Sequence, residues 1–126
     1  MHTRRAPTAV ATLRRALGLA PADALLHCDL GNALSACGEI EAALASWRHA
    51  CGLDPAQPVP WFNLGRNLQQ LGRTDEAIDA LREAPWEQVV GGLPPAQRGP
   101  VAGWLQSLGF GPDTAASGAD LHLDQH

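Results

Sequence analysis

Apolar side chains recur at every third or fourth position through the central part of the chain, which is the spacing of one face of an α-helix. In the first such segment Leu26, Leu30 and Leu34 are four residues apart, and Gly38 follows where a helix would end. Pro55 marks a break, since proline disfavours helical geometry in the residue before it. The pattern predicts four helices, over residues 24–36, 39–51, 58–71 and 74–84, the last with Thr74 as its N-cap.

The four segments form two copies of one unit. When the chain is shifted by 34 residues, residues 21–54 align on 55–88 with nine identities. The same shift aligns residues 9–22 on 43–56 with eight identities in 14. Each unit therefore consists of a helix, a tight turn, a second helix and a turn marked by proline, and a further copy of the second helix precedes them.

Glycine occurs in the middle of both predicted first helices, at Gly31 and Gly65, where it costs about 1 kcal/mol relative to alanine. Because this cost recurs one period apart, we expect a neighbouring helix backbone to pass too close for a Cβ atom. Ala43 and Ala77 are the matching small positions on the second helices. One such hairpin cannot bury its own apolar face, so successive hairpins should stack on each other.

These marks resemble the tetratricopeptide repeat (TPR) pattern, which reads W-x2-L-G-x2-Y, then A-x3-F, then P. The first unit shows the same pattern with His27 in the place of the first tryptophan. The second unit carries the pattern as Trp61, Leu64, Gly65, Leu68, Ala77 and Leu81.

The resemblance implies an all-α fold, a short right-handed TPR solenoid of antiparallel helical hairpins with a C-terminal capping helix. After Ala84 the repeat is lost, because Pro85 breaks the helix and glycine and proline dominate residues 91–100, which predicts a loop. The capping helix should run from about Pro100 to Leu108, with Gly109 as its stop. The predicted organisation is a disordered start (1–7), a half repeat (8–21), full repeats (about 22–55 and 56–89), a loop and capping helix (91–110) and a disordered tail (111–126).

Composition narrows the class of protein. With 126 residues, 45 % of them apolar, the chain should form one globular domain. The net charge of −4 disfavours a nucleic-acid-binding protein, and no apolar run approaches the roughly 20 residues that span a membrane. Arg14 and Arg15 would interrupt the apolar region of a secretory signal, so we expect a cytoplasmic protein. Because Arg4 and Arg5 make the start Arg-rich and it contains no acid, a transit peptide is the alternative. Arginine without lysine favours a bacterial source.

Three cysteines, Cys28, Cys37 and Cys51, are of metal-ligand type, but their spacing opposes a site. Cys28 and Cys37 would lie about 180° apart around one helix, and Cys51 would lie at the opposite end of the hairpin from Cys37. We therefore expect reduced, unbridged thiols and no metal site. Motifs for nucleophilic, phosphate-binding or paired-carboxylate chemistry do not stand out either, so the sequence predicts no catalytic residues and no cofactor.

Partner binding is the remaining candidate. In TPR proteins the first helix of each repeat lines a concave groove that receives peptides, and Asn32 and Asn63 match the asparagines that hold peptide backbone or a C-terminal carboxylate in clamp-type members. Cys28 stands where such members have a lysine, and the alternative is a merely solvated face. By position, the predicted groove consists of Leu25, Asp29, Asn32, Phe62, Asn63, Arg66, Gln69 and Gln70.

The tryptophans fall into two classes. Trp47 and Trp61 occupy repeat-core positions and should be buried. Trp86 and Trp104 lie outside the repeats, where they either pack the capping helix or form exposed contact residues; we favour packing.

These observations predict a protein–protein interaction module that binds a peptide or partner protein in the groove. One alternative is a truncated or split TPR arm of a larger glycosyltransferase-like or sulfotransferase-like enzyme, which presents substrate without catalysis. Another is self-association through the leading half repeat, whose own first helix is missing.

Overall fold

The computed structural model describes residues 2–110, with side chains from residue 7 onward. This part of the chain consists of helices and turns, without a strand, which confirms the predicted all-α repeat fold. The predicted disordered tail, 111–126, lies outside the described residues. The helices are α1 (His2–Leu19), α2 (Ala24–Ala36), α3 (Ile40–Leu53), α4 (Pro58–Gln70), α5 (Thr74–Leu81), α6 (Trp86–Gly91) and α7 (Pro95–Ser107).

Helices α1 to α5 pack in chain order, each against the next. Helices α2 and α3 form one hairpin, and α4 and α5 form the next. Helix α1 packs on α2 as α3 packs on α4, so it takes the place of the second helix of a preceding hairpin. Helices α6 and α7 follow and pack on each other.

The ends of α2, α4 and α7 are fixed by one turn geometry. Gly38, Gly72 and Gly109 have φ angles of +84°, +79° and +99°, which glycine adopts without steric cost. After α2, the Glu39 N–H donates to the Leu34 carbonyl at 2.9 Å and the Gly38 N–H donates to Ser35, which is the Schellman arrangement. The glycine stops predicted at Gly38 and Gly109 are therefore present, and Gly72 ends α4 in the same way.

The core lies between the two hairpins and under α7. Trp47 is 2 % exposed, and four leucines have at most 1 % of their surface exposed: Leu44, Leu64, Leu68 and Leu81. Trp61 and Trp86 are also buried, as predicted for the first and favoured for the second.

Two mid-helix glycines make room for side chains rather than for backbone. A Cβ atom on Gly31 would lie 2.5 Å from Nε1 of Trp47. A Cβ atom on Gly65 would lie 2.8 Å from a methyl group of Leu81 and 2.9 Å from the Trp104 ring. The expectation of a close helix backbone was wrong, because large side chains of the following helices fill these positions.

In α2 and in α4, a ring N–H near the start of the helix is bonded to a carbonyl of the proline turn that precedes that helix. The Trp61 indole donates to the Pro55 carbonyl at 2.8 Å. His27 holds the equivalent place, with Nε2 at 2.8 Å from the Pro21 carbonyl oxygen. Since a carbonyl oxygen only accepts, Nε2 of His27 carries the proton. The His27 ring also stacks on His49, with centroids 4.1 Å apart.

An ion-pair network joins the second helices of the two hairpins. Arg48 on α3 donates to Glu76 on α5 at 2.9 Å, and Arg73 donates to the same carboxylate at 2.8 Å and also pairs with Glu41. The hydrogen bonds from Arg73, and then from Arg48, lower the pKa of Glu76 to about 2. In return, the hydrogen bonds to Glu76 and Glu41 raise the pKa of Arg73.

The starts of α1 and α5 differ from the sequence prediction. Helix α1 begins at His2, within the segment predicted as disordered, because its alanine and arginine residues favour a helix and Pro7 removes only its own backbone donor. Helix α5 has Arg73 as its N-cap, and Thr74 is its first helical residue. The Arg73 N–H still closes the turn after α4 by bonding to Leu68, so the chain enters α5 one residue earlier than a Thr74 cap requires.

The predicted loop over 91–100 was wrong for most of its length. Helix α6 ends at Gly91, and α7 begins at Pro95 rather than at Pro100. Proline suits the first helical position because its missing N–H would be unpaired there, and Pro100 removes only one internal hydrogen bond. The predicted end is present, with Val101, Leu105 and Leu108 buried on one face.

Candidate functional site

An open cavity of about 350 Å³ lies between the N-terminal halves of α2 and α4. Leu25 and Val59, one repeat apart, are 68 % and 52 % exposed at this cavity. Large aliphatic side chains at such exposure on a concave surface are candidates for contact with a partner. The cavity is lined by Asp23, Ala24, Leu25, Cys28, Asp29, Asn32, Asp54, Gln57, Val59 and Pro60.

Two asparagines, Asn32 in the lining of this cavity and Asn63 beside it, are joined by a hydrogen bond. The Trp47 indole N–H donates to Oδ1 of Asn32 at 3.2 Å, and Nδ2 of Asn63 donates to the same oxygen at 3.0 Å. Because an indole N–H only donates, Trp47 fixes which atom of Asn32 is the oxygen, and Asn32 then fixes the orientation of Asn63. Nδ2 of Asn63 also lies 3.8 Å from the Cys28 sulfur.

This network leaves complementary groups unused. Within the described residues, Nδ2 of Asn32 and Oδ1 of Asn63 make no hydrogen bond. One amide is thus available as a donor and the other as an acceptor. A peptide backbone presents the matching carbonyl and N–H groups, so the pair has the chemistry to hold an extended segment.

The second-repeat part of the groove is covered by the chain itself. Trp104 on α7 donates its indole N–H to Oε1 of Gln69 at 3.0 Å. Its ring lies edge-on to Phe62, with centroids 5.9 Å apart, and the Arg66 guanidinium lies 5.4 Å from its centroid. Trp104 is half-buried by these contacts, so Phe62, Arg66 and Gln69 face the capping helix.

The predicted groove residues are therefore divided between two environments. Leu25, Asp29 and Asn32 line the open cavity, and Asn63 is bonded to Asn32 beside it. Gln70 is exposed at the end of α4, outside that cavity. The structure brings the first-repeat residues together with Asn63, and separates them from the set under Trp104.

The open cavity is acidic. Asp23, Asp29 and Asp54 line it, and its lining contains no arginine or histidine. Within the described residues none of the three carboxylates forms an ion pair, although Oδ1 of Asp23 caps α2 by accepting from the Leu26 N–H at 3.1 Å. Carboxylates without a cationic partner repel an anionic ligand and attract a cationic one.

The thiol on the cavity floor is not a reactive group. Cys28 is 3 % exposed, and burial, reinforced by the charge of Asp29, raises its pKa. Burial raises the pKa of Cys51 to about 12, with Cys28 adding to the shift. All three cysteines are unbridged. Reactive cysteines need a lowered pKa, so these two buried thiols serve as packing groups.

Other features in the described part of the chain are weaker candidates for a functional site. A second cavity of about 310 Å³ lies among α3, α4 and α5, but its aliphatic lining residue Leu64 is buried and its Arg48 is already paired with Glu76. Residues 7–110 contain no group of three or more side chains able to hold a metal ion. None of the described helices has the length and hydropathy that crossing a bilayer requires.

Sequence reasoning missed several contributors to the site, among them Asp23, Asp54, Gln57 and Trp47. Asp54 and Gln57 belong to the turn between the repeats, and only the packing of α4 on α3 brings this turn to the cavity. Trp47 was predicted to be core, which it is, but its N–H also orients Asn32. The signal for the role of Trp47 was its spacing from Gly31, which recurs one repeat later between Gly65 and Leu81.

Comparison with known proteins supports the repeat. The family model for the TPR repeat matches residues 31–72, from the middle of α2 through the end of α4 and its glycine stop. None of the curated proteins matches the chain. TPR repeats are typically non-catalytic modules of protein–protein interaction. With the period of 34 and the stacked hairpins, this match shows that the chain contains the tetratricopeptide repeat (TPR).

Proposed function

We propose that this protein is an interaction module that binds an extended segment of a partner protein in the open cavity between α2 and α4. The observation that carries the proposal is the exposure of Leu25 at this cavity, next to an asparagine pair with an unused donor and an unused acceptor. The aliphatic groups would cover a partner side chain, and the amides would hold the partner backbone.

The cover over the second repeat supports a short binding segment. Trp104 already supplies an aromatic ring to Phe62 and a hydrogen-bond donor to Gln69. A ligand that used the whole predicted groove would have to displace it. The binding surface of the proposal is therefore the first repeat together with Asn63, and Phe62, Arg66 and Gln69 have a structural role.

A peptide selection tests the proposal. The full chain is used to select binders from a random peptide library, and selected peptides are titrated into the isotope-labelled protein. We expect the amide resonances of Leu25, Asn32 and Asn63 to shift, and Leu25→Ser to weaken binding by about tenfold, which corresponds to about 1.4 kcal/mol. Leu71→Ser is the matched control, because Leu71 is 46 % exposed at the end of α4 and away from the cavity.

The proposal is overturned by either of two results. One is that peptides shift resonances of α5 or α7 and leave those of the cavity unchanged. The other is that Leu71→Ser weakens binding as much as Leu25→Ser does. Leu25 is mostly solvent-exposed, so its replacement should leave the fold intact, and a thermal melt of each variant verifies this.

A further inference from the structure

The charge of the open cavity specifies the chemistry of its ligand. Asp29 and Asp54 reach the cavity from α2 and from the turn after α3, and Asp23 reaches it from the turn before α2. Three carboxylates from three separate places therefore surround one cavity of about 350 Å³. No arginine in residues 7–110 pairs with any of them.

The nearest cation of the predicted groove does not offset this charge. The Arg66 guanidinium is exposed but lies over Phe62 at 5.7 Å and over Trp104 at 5.4 Å, and it does not line the open cavity. By contrast, two of the three acids on α5 have arginine partners, since Glu76 pairs with Arg48 and Asp79 pairs with Arg82. Among the described residues, the three carboxylates at the cavity have no such partner, so a cationic ligand would pair with them.

The cavity also has apolar groups that a purely ionic ligand would leave uncovered. Leu25 and Val59 occupy equivalent positions of successive repeats and are more than half exposed. An aliphatic side chain between them would remove both from water. The ligand that satisfies all of these groups has an aliphatic residue flanked by basic residues on an extended backbone.

We propose that the open cavity binds a basic segment of a partner protein, with one aliphatic side chain between Leu25 and Val59 and lysine or arginine side chains beside Asp29 and Asp54. This inference rests on the proposed function and names its ligand class. A carboxylate clamp, which needs cations in the groove, is the opposite chemistry. The chain's own arginine-rich start is not the occupant, because it is part of α1, which is already helical and packs on the core through Leu13 and Leu17.

The test uses fluorescent peptides of equal length with the full-length protein. One peptide has a leucine between pairs of lysine and arginine, the second has serine in place of that leucine, and the third keeps the leucine between pairs of glutamate and aspartate. We expect the basic leucine peptide to bind, the serine peptide to bind about tenfold more weakly, and the acidic peptide to show no measurable binding. Affinity for the basic peptide should fall when salt is raised from about 50 to 200 mM, since charges at an exposed site are screened.

Matched variants separate recognition by the cavity from attraction by net charge. Asp29→Asn with Asp54→Asn should weaken binding of the basic leucine peptide by about tenfold or more. Asp75→Asn with Asp79→Asn removes the same charge from the exposed surface of α5 and should leave binding unchanged. Equal losses in both double variants would show that binding follows net charge, which overturns the inference.

The outcomes distinguish the inference from the function on which it rests. If the acidic leucine peptide binds as well as the basic one and Leu25→Ser weakens both, the cavity binds peptides but its ligand is not basic. If no peptide, basic or selected from the random library, perturbs the cavity, the proposed function fails as well. If sedimentation shows that the protein alone associates and that Asp29→Asn with Asp54→Asn abolishes this, the occupant is a second copy, and the inference is overturned.

Discussion

Replacing Gly31 by alanine is a direct test of the link between the core and the groove. Gly31 is buried in α2, and the nearest atoms to an added Cβ would be Nε1 and Cδ1 of Trp47, at 2.5 and 2.6 Å. These distances are shorter than real Cβ contacts, so the indole must move. The same indole N–H holds Asn32 at 3.2 Å, and Asn32 holds Asn63.

Three contributions set the magnitude. Alanine in place of glycine inside a helix stabilises by about 1 kcal/mol. Displacing Trp47, which is 2 % exposed, amounts to overpacking and costs about 1–3 kcal/mol. Losing its hydrogen bond to Asn32 costs a further 0.5–1.5 kcal/mol, roughly. We expect Gly31→Ala to lower the free energy of unfolding by about 1–3 kcal/mol.

Gly103→Ala is the control for this experiment. Gly103 lies inside α7, is exposed, and has no atom within 4 Å of an added Cβ, so this variant should gain up to about 1 kcal/mol. Both variants are measured by denaturant unfolding, and the side-chain amide resonances of Asn32 and Asn63 are followed by NMR. The reasoning is refuted if Gly31→Ala is as stable as Gly103→Ala, or if it is destabilised while both amide resonances stay in place.

Three further predictions follow from other contacts. Because the pKa of Glu76 is lowered, its ion pairs stabilise the fold at pH values above the carboxyl's unfolded pKa, and this stability is lost as pH falls toward about 2. Urea unfolding at several pH values should show this loss, and the loss should be smaller in Glu76→Gln. Gly65→Leu should cost about 1–3 kcal/mol or more, because Leu81 and Trp104 fill that space; a melting temperature within a degree of the wild type would contradict the packing. Cys37, which is half-buried, should react with a thiol reagent well before Cys28 and Cys51, whose pKa values burial raises; equal rates for all three would show that the buried thiols are accessible.

The repeats could be predicted from sequence because their signals are local. The helical spacing of leucines defines α2 and α4. Gly38 ends α2 and Gly72 ends α4, and each glycine supplies the positive φ angle that the turn requires. Trp47 and Trp61 are buried because they occupy the same face as the periodic leucines. Such local sequence signals can be recognised without knowledge of the rest of the fold.

The C-terminal part and the division of the groove could not be predicted in this way. Proline and glycine indicate loops by composition, but Pro95 begins α7 because the first position of a helix needs no N–H. The contact of Trp104 with Gln69 joins residues 35 apart, and no periodicity connects them. Sequence position therefore assigned Phe62 and Arg66 to the groove without indicating that α7 lies over them.

The two ends of the stack differ in how they are held. At one end, α7 packs over α4 through Trp104; at the other, α1 contacts α2 and its last residue, Leu19, is 91 % exposed. In an array whose units contact only their neighbours, the end with the less buried helix opens first. None of residues 7–19 is buried, whereas Val101 and Leu105 of α7 are, so amide hydrogens of α1 and then α2 should exchange before those of α4 and α5. The open cavity has α2 as one wall, and a bound segment would join that wall to α4. Ligand binding would then slow exchange at the end of the stack that opens most readily, and part of its binding free energy would go into ordering the protein.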